Sequence, residues 1–244
     1  MTEWLAPIRA ALSEGDAPVQ VFVRDDDAGW HDARLFGLLD VFERAQFPID
    51  VAAIPAHISA SCAAELNRRR ASHPSLHVHQ HGYAHVNHEI EGRKCEFGAS
   101  RDTLRQRADI RQGRDRLCDM LGETDLIFTP PWNRCSQATV DALQAEGFRI
   151  LSRDHGAAAL DLGGLAHVPV TIDWRKKRGD VRDTPAQTAA AIAAQVQAGE
   201  RHIGLMLHHE TLEAEDLSAL VELLVVMRGH PRTRCVNIVD LGDN

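Results

Sequence analysis

What most limits the fold of this chain is a repeated alternation of short apolar runs with segments of helical periodicity, the pattern of parallel strands joined by crossover helices. Val19 to Arg24 reads as a strand. Leu35 to Gln46 then puts Leu35, Leu38, Leu39 and Phe42 on one helical face, and Pro48 stops it before the apolar run Ile49 to Ile54. Ser59 to Arg70 reads as a helix, Leu76 to Gln80 as a strand, and Asp102 to Leu121 as a long charged helix ended by Gly122. Leu126 to Thr129 is a strand, Ser136 to Glu146 a helix with Gly147 beyond it, and Phe148 to Ser152 a strand. Gly156 to Val170 fits a hairpin or a loop with one strand. Thr184 to Gln197 and Leu217 to Met227 are helices, while Ile203 to Leu207 and Cys235 to Val239 are strands. About seven strands predict one α/β domain over 1–244, either a β/α barrel or an open doubly wound sheet. In both architectures ligands sit at the carboxyl ends of the strands, so the polar residues there are where chemistry is to be sought.

Charge and cysteine usage remove several function classes. A net charge of -8 repels a phosphate backbone, which argues against nucleic acid as a partner. No apolar run approaches the ~20 residues that span a bilayer. Met1 to Ala11 has neither the basic start nor the apolar stretch of a signal peptide, so a cytoplasmic chain is expected. The five cysteines, Cys62, Cys95, Cys118, Cys135 and Cys235, form no C-x-x-C pair and read as reduced thiols.

The expected strand ends carry unusual polar residues. The first ends in Arg24-Asp25-Asp26-Asp27, and three consecutive carboxylates repel one another unless a cation or protons compensate them. A helix N-cap would use one of the three; a bound cation would use more. The third ends in His79-Gln80-His81-Gly82-Tyr83-Ala84-His85, where H-x3-H brings two imidazoles to one face if the chain turns helical after Gly82. His77 and His79 share a strand face with His81 and read as hydrogen-bonded core histidines. The fourth ends in Pro130-Pro131-Trp132-Asn133, leaving the N–H groups of Trp132 and Asn133 free to meet an oxyanion, unless Trp132 simply packs as a lid on the core. The penultimate strand ends in Leu207-His208-His209.

Taken in order, these four motifs resemble the polysaccharide deacetylase (NodB-like) superfamily, related to carbohydrate esterase family 4. Its first motif, T-F-D-D-G, is similar to Val23-Arg24-Asp25-Asp26-Asp27, and its second, H-[ST]-x-x-H, to His81-Gly82-Tyr83-Ala84-His85. Its third, R-x-P-Y, resembles Thr129-Pro130-Pro131-Trp132, and its last, L-x-H, resembles Leu207 with His208. The resemblance spans roughly Val21 to His209 and has the form of a divergent branch. It implies a distorted (β/α)7 barrel and a metal-dependent hydrolase that removes acetyl groups from an N- or O-acetylated sugar or glycan.

Position by position, the resemblance implies Asp25 as general base, Asp26, His81 and His85 as metal ligands, and His208 as the acid that protonates the leaving group. One carboxylate and two imidazoles suit zinc, with Co, Ni, Mn or Fe also compatible. Pro131, Trp132 and Asn133 would line the substrate site. Asp173 and Trp174 would supply the carboxylate and tryptophan of the family's fourth motif, with Asp154 the other candidate carboxylate.

Three departures from the motifs alter what is expected. Thr129 stands where the family has an arginine that pairs with the base, so Arg24 or Arg153 would take that part. Asp27 stands where the family has glycine, so the roles of Asp25 and Asp26 can slip by one position. His209 is a second candidate acid. The basic run Arg175-Lys176-Lys177-Arg178 reads as a solvated loop or as a holder for an anionic substrate such as a sugar phosphate or nucleotide sugar. Two other readings of the architecture are a metal-independent C–N hydrolase acting on an allantoin-like amide and a non-catalytic glycan-binding relative.

Overall fold

The structure is a computed structural model that describes residues 3–179 and 181–242, the side chains of Lys177 and Arg178 excepted. Its strands are β1 (Val19–Ala28), β2 (Ile49–Ala53), β3 (Leu76–His81), β4 (Asp125–Thr129), β5 (Ile150–Leu151), β6 (Ala166–His167), β7 (Ile172–Asp173), β8 (Lys177–Arg178), β9 (Val181–Arg182), β10 (His202–His208) and β11 (Thr233–Cys235). The helices are α1 (Ala6–Ser13), α2 (Asp32–Ala45), α3 (Ala60–Ser72), α4 (Thr103–Leu121), α5 (Gln137–Ala145), α6 (Pro185–Gln197) and α7 (Ala214–Gly229). Side-chain caps start several of them: Ser59 accepts from Cys62 N, Asp102 from Arg105 N and Thr184 from Gln187 N. Among the described residues no helix is long and apolar enough to cross a membrane.

The main sheet is parallel throughout and runs β6-β5-β4-β3-β2-β1-β10-β7, with β11 beside the start of β1. Its two ends belong to one short stretch of chain. Ala166, Val168 and Val170 donate to β5 and the residues flanking it, whereas Thr171 and Trp174 donate to carbonyls of β10. By changing partners midway, this stretch closes the ring, so seven strand positions surround one axis as a distorted (β/α)7 barrel. Gly156 to Val170 is therefore a loop carrying one strand, not a hairpin. The expected strand Cys235 to Val239 is instead β11 followed by a 3-10 turn over Ile238–Leu241, because Asn237 caps that turn through Asp240.

Alternation along β1 divides its side chains between two cores. Val21 and Val23 join the apolar layer between the sheet and the helices around it. Phe22 points inside the barrel, among Ile127, Ile150, Val170 and Met206. A Cβ on Gly204 would overlap the Phe22 ring, so glycine there makes room for it. A third cluster packs Phe97 and Phe128 edge to face beneath α4 and α5. Period two carries Arg24 and Asp26 inward above Phe22 and sends Asp25 outward.

The contact between α4 and β3 depends on Gly113. A Cβ at that position would overlap the side-chain amide of Gln80, which donates to the carbonyls of Gly82 and Ile110 and so anchors the turn after β3. Gly113→Ala gains about 1 kcal/mol of helix propensity but overpacks a buried contact at a cost of about 1–3 kcal/mol. A net loss on the order of 1 kcal/mol is expected in urea melts of the purified variant. A neutral or raised midpoint would mean that Gln80 yields freely.

Candidate metal centre and active site

The three carboxylates at the end of β1 go three separate ways. In a regular strand Asp25 and Asp27 would share a face, but the register against β2 takes up one extra residue between Asp25 and Ala28, and Asp27 is left-handed at φ 73°. This bulge turns Asp27 back towards the barrel mouth, beside Asp26. Asp25 stays on the outer face, fully buried, and its oxygens accept from the His209 backbone N–H (2.9 Å) and from His209 Nδ1 (2.7 Å). The His209 Nε2 faces the Trp30 carbonyl at 2.8 Å. Both ring nitrogens thus face acceptors and both carry protons. Burial opposes that charge, but Asp25 and the Trp30 carbonyl outweigh it and raise the imidazole to about 9.

Asp26 is held by Arg24, which is fully buried and donates from Nε to Oδ1 (2.7 Å) and from Nη2 to Oδ2 (2.9 Å). The guanidinium is fixed further by Ser152 Oγ and Asn133 Oδ1, each at 2.8 Å. Burial raises the Asp26 carboxyl, but Arg24, with His81 and His208, more than offsets this and holds it below the usual carboxylate range. Of the two arginines expected to stand in for the missing third-motif one, it is Arg24, not Arg153, that pairs with this carboxylate. Thr129, at that arginine's position, instead pairs through its hydroxyl with His79 Nε2 at 2.8 Å.

Asp27 is the carboxylate that meets the histidines. Its Oδ1 lies 3.1 Å from His81 Nε2 and 3.2 Å from His85 Nε2. Burial raises the Asp27 carboxyl, and hydrogen bonds from both imidazoles overcome this to hold it far below its ordinary value. On the other side of its ring, His81 Nδ1 donates to the Thr129 carbonyl at 3.0 Å, so a cation that displaced the proton on Nε2 would meet that nitrogen's lone pair. The chain after β3 does not turn helical, the condition under which H-x3-H spacing alone would bring the two imidazoles to one face. Gly82 and His85 take left-handed backbones at φ 56° and 55°, and the buried Glu96 accepts from the N–H groups of Tyr83 (3.2 Å) and Ala84 (2.7 Å). These side-chain atoms lie close enough together to hold a metal ion, and the carboxylate among them is Asp27, not the expected Asp26.

The rim is built from the other motifs. Trp132 and Asn133 are both left-handed, at φ 56° and 57°, and this pair of turns lays the Trp132 ring against His85 with centroids 4.4 Å apart. Among the described residues the Trp132 N–H has no backbone partner, whereas the Asn133 N–H is already bonded to the Pro130 carbonyl at 2.9 Å and is not free as expected. Pro131 is buried, with its ring beside Gly82. His208 sits opposite Asp26 in the β1–β10 register, and its charge acts on Asp26, Asp27 and Asp173. Asp173 is half-buried beside it; burial raises its carboxyl, with His208 and Lys176 opposing. Asp154 instead accepts from Gly156 N at 2.8 Å, as a turn residue does. Trp174 does not reach the rim: it is 4 % exposed and packed in the main core.

Two residues of the centre went unread in the sequence. Glu96 is hidden in a polar loop whose burial no local pattern announces. Trp30 packs edge-on to His85 at 4.9 Å and near His57 at 5.4 Å; its place directly after Asp25-Asp26-Asp27-Ala28-Gly29 was the available signal. A second gathering of metal-competent groups, Asp50, His77 and Asp125, lies at the opposite ends of β2, β3 and β4. There His77 Nδ1 bonds Asp125 at 2.8 Å, and burial pushes the Asp50 carboxyl up to about 7.

The Asp25–His209 pair generates a stability prediction with a definite sign. An imidazole raised from 6.5 to about 9 on folding stabilises the fold fully below pH 6.5 and loses that contribution as the pH rises through 9. Urea melts are expected to lose on the order of 3 kcal/mol from this group across that window. His209→Gln is expected to cost about 3–5 kcal/mol at pH 6, by leaving Asp25 buried and unpaired, and to flatten the dependence. A profile as steep in the variant as in the wild type would overturn the assignment.

No family model matches the sequence, and a comparison with curated protein sequences finds no match. The fold is shared with solved structures. One is a Mycobacterium smegmatis protein assigned to the polysaccharide deacetylases, at TM-score 0.73 and 14% identity, covering 93% of this chain and 90% of that one. Another is a family 4 acetyl xylan esterase from Clostridium thermocellum in complex with a cobalt ion, at TM-score 0.63 and 16% identity, covering 91% and 89%. A third is a mutant of a family 4 pseudoenzyme with restored enzymatic activity, at TM-score 0.55 and 14% identity, covering 93% and 68%. With a parallel barrel of seven strand positions and polar motifs at the carboxyl ends of its strands, this chain has the fold of the family 4 carbohydrate esterases and polysaccharide deacetylases.

Proposed function

We propose that the chain is a metal-dependent deacetylase, a hydrolase that removes acetyl groups from an N- or O-acetylated sugar or glycan. The observation that carries this reading is the convergence of Asp27, His81 and His85 beside a second, arginine-held carboxylate at the mouth of the barrel. The donor set fits a divalent ion, with zinc first and Co, Ni, Mn or Fe also compatible. Such an ion lowers the pKa of a bound water and polarises the acetyl carbonyl.

The chain's own residues supply the remaining steps. Asp26, whose oxygens each keep a lone pair not used by Arg24, takes the proton of the attacking water. The C–O bond forms as the carbonyl becomes a tetrahedral oxyanion, and the Trp132 N–H donates to that oxygen. His208 then gives a proton to the departing nitrogen or oxygen as its bond to the acetyl carbon breaks. Asp173 is the carboxylate that acts on His208. The roles first expected of Asp25 and Asp26 thus move one residue along, to Asp26 as base and Asp27 as ligand, because Asp25 is consumed by His209.

The test is metal content and acetate release on the same protein samples. After zinc reloading and desalting, the wild type is expected to hold about one ion per chain; Asp27→Ala and His85→Ala lose it. Asp26→Asn keeps the ion and loses about 100- to 10,000-fold in acetate release from an acetylated glycan. Ion loss in Asp26→Asn with retention in Asp27→Ala would return the ligand role to Asp26. A folded wild type that takes up no zinc or cobalt would overturn the reading and favour a metal-independent hydrolase or a glycan-binding protein.

A further inference from the structure

Beside the metal centre, and sharing Trp132, Asn133 and Asp173 with it, lies a cavity of about 400 Å³, within the size range of small-ligand sites. Arg93, Arg134, Arg153 and Lys176 line it, against only two carboxylates, Asp154 and Asp173. Arg153 is the telling residue. It is 3 % exposed, and among the described residues it makes no ion pair. Its Nη1 donates to the Ala158 carbonyl at 3.1 Å, while its Nε is buried with no partner. Arg134 repeats the pattern: Nη1 donates to the Lys94 carbonyl at 2.8 Å, and its buried Nε has no partner.

Burying a guanidinium without a counter-charge is unfavourable, and the fold has no evident need of it, since Arg24 already serves Asp26. The Cys135 thiol lies within hydrogen-bonding reach of the Arg153 side chain, but burial pushes it up to about 12 against the opposing effect of Arg153, so this neighbour supplies no negative charge. Desolvation, together with the nearby Arg93, pulls the Arg134 guanidinium below its ordinary value, as expected of crowded cations. Lys176 brings one side chain of the basic run into the wall; those of Lys177 and Arg178 lie outside the described residues.

We propose that this cavity is an anion-binding subsite that takes a phosphate or carboxylate group of the substrate, so that the deacetylated molecule is a small anionic one. The substrate assignment rests on the deacetylase reading; the anion site itself does not. An anion there would accept from the free donors of Arg153 and Arg134, with Arg93 and Lys176 closing over it from the solvent side.

Isothermal titration with inorganic phosphate and, separately, with glucuronate tests the site and distinguishes the two anion chemistries. Wild type is expected to bind at least one of them saturably at one site. Arg153→Gln and the rim pair Arg93→Gln with Lys176→Gln should each weaken binding about tenfold or more, and stripping any bound metal from the wild type with a chelator should leave it unchanged. The rim pair is exposed, so its result stands even if Arg153→Gln fails to fold. No saturable binding of either anion, affinity unaltered by the rim pair, or binding lost on chelation would each overturn the proposal. Metal content measured on the same samples separates the two readings. A metal-free wild type that binds phosphate supports the subsite while the deacetylase reading fails, and a metal-loaded one that binds neither anion overturns the subsite alone.

Discussion

Three adjacent carboxylates at the end of one strand are the constraint that the rest of this molecule answers. Their mutual repulsion at close range is too large to leave uncompensated inside a protein. Each has its own partner: Asp25 has a charged His209, Asp26 has the Arg24 fork, and Asp27 has two imidazoles. The division depends on one bulge. Without the left-handed backbone at Asp27, two of the three would share the outer face, and the mouth of the barrel would hold a single carboxylate.

The partners are connected in turn. His209 bonds the carbonyl of Trp30, whose ring packs on His85, and the other face of the centre is closed by Trp132. Arg24 reaches Ser152 and Asn133, so the loops after β4 and β5 are held to the end of β1 through one guanidinium. Glu96 fixes the chain between His81 and His85 from below. Left-handed non-glycine residues gather here, at Asp27, His85, Trp132 and Asn133. Such backbone costs free energy and persists where surrounding contacts demand it, a common mark of functional sites. Fold alone does not establish chemistry, as a pseudoenzyme among the solved structures illustrates. Hydrolysis is favoured here by the gathering of Asp27, His81 and His85 beside Asp26, and an anionic substrate by the unpaired arginines next to them.

Most of the architecture was legible from periodicity. The helices from α2 onward and the longer strands fall within a few residues of where apolar spacing, Pro48 and the capping residues Ser59, Asp102 and Thr184 put them, because those are local effects; α1 has no counterpart in that reading. The segments that resisted were those held by distant partners. Residues 166–174 form two very short strands whose pairing switches from β5 to β10, and nothing in their own sequence records that switch. The last strand stops short of Val239 because the cap formed by Asn237 and Asp240 interrupts an apolar run that otherwise reads as continuous.

The sequence by itself determined the inventory of the centre: carboxylates at the end of the first strand, two histidines at metal-ligand spacing at the end of the third, a stiff Pro-Pro-Trp turn after the fourth and two more histidines at the end of the penultimate one. Which carboxylate does what was decided by tertiary structure alone. Strand alternation sends Asp25 outward only once β1 is flanked by both β2 and β10, and Asp27 turns inward only because the register against β2 absorbs an extra residue. The same holds for Arg24 and Arg153, two arginines equivalent on paper. One is saturated by Asp26, Ser152 and Asn133, and the other is left facing a cavity, because charge is compensated by neighbours in space and not by neighbours in sequence.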